Sequence, residues 1–271
     1  MALTKVLITV KTYPTLSAKY DELVCTAGFR EDGTWIRIYP IQFRKLDYAS
    51  QYKKYEWIEI DLEKNTSDFR PESYRPHSLD TEPSIGSNID TKNFWEERKA
   101  ICLKNVYTNL TQLIEEAKNK DICTSLATFK PTKVLDFVYE EVDREWDIKK
   151  MEAMKQLNLF EQVKGQGFNV VKKLPYKFSY IFEDDKGKKS KLMIEDWEVA
   201  ALYWNCLKDT GNEKDACEKV KEKYFVHFVN DCDLYFFLGT TKAHHFTAPN
   251  PFIIIGAFYP MKDTRTQLSL F

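Results

Sequence analysis

The chain lacks a long apolar run. No stretch approaches the roughly 18 residues that a membrane-spanning helix requires. Its start, Met1-Ala2-Leu3-Thr4-Lys5, leads into a strand-like segment without the small-residue cleavage site of a secretory leader. The expected location is cytoplasmic, with no membrane partner. Glycine (9) and proline (10) are scarce among 271 residues, which excludes collagen-like and linker-rich architectures. Charge of one sign is missing too: 40 Lys+Arg against 41 Asp+Glu leave a net charge of -1, so the chain does not coat DNA by bulk charge. The six cysteines (Cys25, Cys102, Cys123, Cys206, Cys217, Cys232) are scattered, with no CxxC pair. A disulfide framework belongs to short secreted chains and zinc takes closely spaced ligand pairs, so buried free thiols are expected. P-loop, GxGxxG, GxSxG and HExxH patterns are all absent. No catalytic residue, metal or cofactor is assigned.

What is present is aromatic and β-branched. Eighteen Phe, 15 Tyr and 6 Trp supply a packed core. Val6 to Tyr13 is β-branched and stops at Pro14, and a second run lies between Asp21 and Phe29. Arg30-Glu31-Asp32-Gly33 reads as a hairpin turn returning into Trp35-Ile36-Arg37-Ile38-Tyr39. Ile36 and Ile38 share one face of that strand, and Trp35, Arg37 and Tyr39 share the other. A further strand is expected from Tyr55 to Leu62, and short strands this close together suggest a small barrel or sheet.

Residues 64–92 are polar, carry three prolines and read as a long loop. Helical spacing then runs from Phe94 to Ala117. Strands are expected at 133–142, 176–182, 191–194, 234–238 and 252–259. A helix or connecting arm is expected at 147–163, and helices at 197–207 and around Ala216 to Phe228. The fold class is α+β: a small OB-like β-barrel or sheet, followed by a mixed domain of helices and antiparallel strands. The expected divisions are 1–90, 91–260 and a polar tail at 261–271.

The tail carries Gln267-Leu268-Ser269-Leu270-Phe271. It resembles the peptide, usually Gln-Leu-Ser/Asp-Leu-Phe, by which bacterial polymerases and repair proteins dock on the β sliding clamp, and it matches at all five positions. The resemblance implies a clamp partner, with Leu270 and Phe271 filling apolar pockets and Gln267 offering its amide. Anchors of this size contribute about 1.5–3 kcal/mol each on burial, less the cost of ordering the peptide. A second copy, Gln156-Leu157-Asn158-Leu159-Phe160, differs at the third position. Two readings stand for it. It is a second docking peptide, or its residues face the core with Ile148, Met151 and Met154 at near-helical spacing.

Leu23-Val24-Cys25-Thr26-Ala27-Gly28 followed by Gly33-Thr34-Trp35-Ile36-Arg37-Ile38-Tyr39-Pro40 resembles the start of the dual OB-fold domain family, over roughly residues 5–62. That resemblance implies a fold that handles nucleic acid. The residues read alone agree: Trp35, Arg37 and Tyr39, followed by Arg44, Lys45, Lys53 and Lys54, interleave rings that stack on bases with cations that neutralise phosphates. Two loops also stand out, Phe69 to His77 with its arginines and Leu238 to Phe246 with its lysine and two histidines. The expectation is a non-enzymatic DNA-transaction accessory that docks on the clamp and holds nucleic acid, single-stranded before double-stranded. Its setting would be repair, replication or antiviral defence. The alternative is a clamp-recruited Mg²⁺ nuclease or nucleotide-processing enzyme using Glu59, Asp61 and Glu63 or the 240–245 loop.

Overall fold

In a computed structural model, residues 2–17, 21–78, 80–149, 151–152 and 171–263 are described. Both copies of the clamp-type peptide, 156–160 and 267–271, lie outside them, as does most of the helix or connecting arm expected at 147–163.

The first seven strands are β1 (Ala2–Lys11), β2 (Thr15–Ser17), β3 (Asp21–Phe29), β4 (Trp35–Ile41), β5 (Glu56–Lys64), β6 (Ser73–Pro76) and β7 (Ser84–Asn88). Five of them close a barrel in the order β1-β3-β4-β6-β5 and back to β1. Every pairing in the ring is antiparallel except β4 with β6. Alternation drives it: Val6, Ile8, Ile36, Ile38, Ile58, Ile60 and Leu62 point inward as one buried cluster. Gly28 of β3 crosses so close to β1 that a Cβ there would stand 1.9 Å from the Leu7 carbonyl oxygen. The β3–β4 hairpin turns at Gly33 (φ +82°), and the Asp32 carboxylate accepts the Thr34 N–H and hydroxyl. The segment expected as a long loop thus contributes β6 and β7, which are four and five residues long. Their brevity hides them among turn residues.

The helical run expected from 94 to 118 is two helices, α1 (Lys92–Cys102) and α2 (Leu110–Lys118), parted by the short strand β8 (Val106–Tyr107). The first turn of α1 holds Asn93, Phe94 and Trp95 at left-handed φ of 49°, 55° and 65°. Next come β9 (Leu126–Phe129), β10 (Lys133–Glu141), β11 (Tyr176–Glu183) and β12 (Lys189–Met193). They are followed by α3 (Trp197–Thr210), α4 (Glu213–Lys221), β13 (Tyr235–Thr240) and β14 (Phe252–Phe258). Strands β14-β13-β9-β8 form one sheet and β10-β11-β12 another. Asp196 caps α3, accepting from the Glu198 N–H, and Asn212 caps α4.

Three cores result. One fills the barrel, and the largest packs α2 to α4 against the two later sheets. The third is the seam between the halves: Val10, Ala27, Phe29, Tyr55 and Cys102 meet Leu126, Phe237, Ile255 and Phe258. The outer face of β4 therefore looks onto a second sheet. No helix among the described residues is long and apolar enough to cross a membrane.

Candidate nucleic-acid interface

Among the seven barrel residues with nucleic-acid chemistry, only Lys53 is exposed. Trp35 is half-buried, packed at a tilt of 37° on Phe29 with centroids 3.9 Å apart and edge-on to Phe237 at 5.3 Å. Arg37, 2% exposed, points into the seam. Its Nη1 donates to Ser125 Oγ (2.8 Å) and Ser73 Oγ (3.3 Å), and its Nη2 to the Ser125 carbonyl (3.1 Å). Tyr39, Arg44 and Lys45 are half-buried. Lys54 is locked between the carboxylates of Asp196 (2.7 Å) and Glu198 (3.1 Å). Burial alone would lower the Lys54 pKa; the two carboxylates outweigh it and raise it, so the ammonium is held internally. The structure thus does not gather these residues on one open face.

It does gather the two loops. Between β5 and β6, Asp68 and Arg70 turn inward and Phe69, between them, turns out. The Asp68 carboxylate accepts Arg70 Nε at 2.9 Å and Nη2 at 2.6 Å, and Arg70 Nη1 donates to the Thr240 carbonyl. Burial alone would raise the Asp68 pKa, but Arg70 holds it down at about 2. From the other side, Lys242 Nζ donates to the Ser67 carbonyl. His245 turns inward and Phe246 outward. The rings of Phe69 and Phe246 stack at 4.9 Å and 28°, yet remain 46% and 40% exposed.

Beneath the pair, fully buried His245 is fixed from both ends. Its Nε2 lies 2.7 Å from the Ala117 carbonyl, which can only accept, so Nε2 carries the proton and Nδ1 accepts from the Thr240 hydroxyl at 2.8 Å. Cys123 Sγ is 3.4 Å from that same Nε2. A nitrogen already protonated toward Ala117 is no base for a thiol, and burial pushes the Cys123 pKa up. The arrangement is a structural lock rather than a nucleophilic dyad. The chain between Ala117 and Cys123 exposes Lys118, Lys120 and Ile122, and Lys242 and His244 are exposed on the facing loop.

The carboxylates weighed for a nuclease do not converge. Glu59 is exposed, and Glu63 pairs with Arg75 at 2.5 Å and lies 3.8 Å from His77. Among the described residues, no three His, Cys, Asp or Glu side chains are grouped to hold a metal. Sequence reasoning singled out both loops but could not join them. The missed signal is the in-out-in alternation at Asp68-Phe69-Arg70, which leaves one aromatic outside two paired charges.

Comparison with known families finds a match to Domain of unknown function (DUF8758) over residues 2–104 and to Domain of unknown function (DUF8757) over residues 106–271. None of the curated proteins matches the chain.

Proposed function

We propose, from the premise that the chain belongs to the DUF8757 family across residues 106–271 and carries a DUF8758 domain before it, that it is a DNA-transaction accessory that binds single-stranded nucleic acid. Its stacking platform is the Phe69–Phe246 pair. The observation that carries this reading is two stacked phenylalanines left close to half exposed, with exposed Lys242 on the Phe246 loop and exposed Lys118 one residue after Ala117, whose carbonyl accepts from His245. Every base offers a π-face, and stacking on such a ring is worth about 1–3 kcal/mol per base. The cations nearby would neutralise phosphates and make binding fall with salt. An α+β body with an OB-like barrel supports the same reading.

Recruitment is assigned to Gln267–Phe271, on its match to the clamp-docking peptide. In this reading the protein is carried to replication or repair sites by the clamp and holds exposed strand there.

The test is a titration of labelled oligo(dT) by anisotropy with the full chain and with the Phe69→Ser/Phe246→Ser variant. The double substitution is expected to weaken binding about tenfold or more. Lys242→Ala is expected to weaken it on all sequences and to reduce the salt slope by about 1. Equal binding by wild type and the double variant would remove the platform from the reading.

A further inference from the structure

The end of the barrel where β3 and β5 finish carries two cations that no carboxylate takes. Arg30 follows the last residue of β3, and Lys64 is the last residue of β5. Tyr74 of β6 sits opposite Lys64 in register and packs against the barrel core. Its ring gathers both cations: Arg30 Cζ lies 4.8 Å and Lys64 Nζ 5.0 Å from its centroid. The acidic neighbours are engaged elsewhere. Glu31 pairs with Lys5 at 2.7 Å, Asp32 accepts from Thr34, and Glu63 pairs with Arg75. Among the described residues, no carboxylate lies within ion-pair distance of Arg30 or Lys64. Arg30 is half-buried and Lys64 is exposed, so solvent reaches both.

The donors of Arg30 are divided. Nη1 is spent on the hairpin, donating to the Trp35 carbonyl at 3.2 Å and reaching the Thr34 hydroxyl at 3.5 Å. Nε and Nη2 are left, and their N–H groups lie along one edge of the guanidinium. That edge is the fork that fits the paired oxygens of an anion. Lys64 donates one N–H to the Pro71 carbonyl and keeps the others. We infer that this end of the barrel takes backbone phosphates of the bound strand, with the Arg30 fork on one phosphate and Lys64 as a second cation on the same stretch. An anion supplies the charge and the acceptors that the protein itself does not bring to these two side chains.

The inference deepens the nucleic-acid reading and rests on it for the identity of the anion. Continuity with the platform selects a strand. The Lys64 ammonium is hydrogen-bonded to Pro71, and Pro71 is two peptide steps from Phe69, at most about 7 Å of chain. A base on the Phe69–Phe246 pair and a phosphate at the barrel end therefore belong to one short strand. The rings supply the part of the affinity that salt does not screen, and Arg30 and Lys64 supply a part that it does.

The experiment titrates the full chain with oligo(dT), an uncharged methylphosphonate oligo(dT), poly-glutamate and inorganic phosphate over a range of salt. Variants are Arg30→Gln, Arg30→Lys and Lys64→Gln, beside Phe69→Ser/Phe246→Ser, with melting temperature followed for each. Arg30→Gln and Lys64→Gln are each expected to weaken oligo(dT) binding and to reduce its salt slope by about 1. Both should bind the methylphosphonate strand as wild type does. Arg30→Lys should keep the slope and still lose affinity, because one ammonium cannot fill the fork. Wild-type affinity and slope in Arg30→Gln and Lys64→Gln, with weakened binding in the phenylalanine variant, overturn the barrel-end site and leave the platform. The reverse pattern refutes the platform and keeps the site. Poly-glutamate or inorganic phosphate bound more tightly than oligo(dT), and lost in Arg30→Gln, assigns the fork to an acidic peptide or a free phosphate and overturns the strand. If Arg30→Gln melts early, Lys64→Gln decides.

Discussion

Arg37 and Ser125 lie 88 residues apart and meet twice, through the Ser125 hydroxyl at 2.8 Å and its carbonyl at 3.1 Å. Glu72 holds the same serine from its N–H and hydroxyl. The barrel therefore reaches the second sheet with a charged pair gripping one small residue.

Arg37→Met is expected to destabilise the fold by about 1–3 kcal/mol, since it leaves the buried Ser125 carbonyl and the Ser73 and Ser125 hydroxyls without their donor. A urea unfolding midpoint measures this. Arg37→Lys should recover little, because one ammonium cannot span Ser73, Ser125 and the carbonyl at once. Wild-type stability in the methionine variant would contradict the assignment.

Asp68 makes the platform acid-sensitive. Its folded pKa of about 2 lies below the unfolded value near 3.9. Its contribution is thus complete above pH about 4 and is lost as pH falls toward 2, roughly 2 kcal/mol in all. Asp68→Asn should remove that part of the acid dependence and lower stability at pH 7. Parallel acid-unfolding curves of equal slope would refute it.

His245 acts over a different window. Burial lowers its pKa, with the Ala117 carbonyl opposing. A histidine kept neutral in the fold favours the native state above its unfolded pKa, near 6.5. That stabilisation is lost as pH falls from there through the lower folded value. Measured by NMR, the His245 ring should titrate below the ordinary histidine value and, while neutral, carry its proton at Nε2. A ring that titrates at or above the ordinary value would rule this out.

Removal of residues 267–271 should weaken co-migration with a bacterial β clamp and leave oligo(dT) binding and melting temperature unchanged. Wild-type binding is expected at about micromolar affinity, given two apolar anchors less the ordering cost. Equal clamp binding by the shortened chain would exclude the peptide.

The α+β class and the barrel were legible because period-two alternation is a local signal: Ile36 and Ile38 announce an inner face by themselves. What covers the outer face was not. Trp35 and Arg37 read as water-facing because their cover, β9, is four residues long and β13 begins near residue 235. The candidate platform was hidden for a related reason. Arg70 and Thr240 are 170 residues apart, and nothing local in either loop indicates the other.

The seam also bears on the modular history of the chain. The two matched regions abut near residue 105, yet Val10, Ala27 and Phe29 from the first are sealed by Phe237, Ile255 and Phe258 from the second. Cut at that junction, the leading fragment would turn an oily flank and an orphaned guanidinium toward solvent, and it would self-associate or clump before it worked as a stand-alone unit. Inheritance of the two halves is therefore coupled by packing: a gene that kept the first would have to supply a substitute lid.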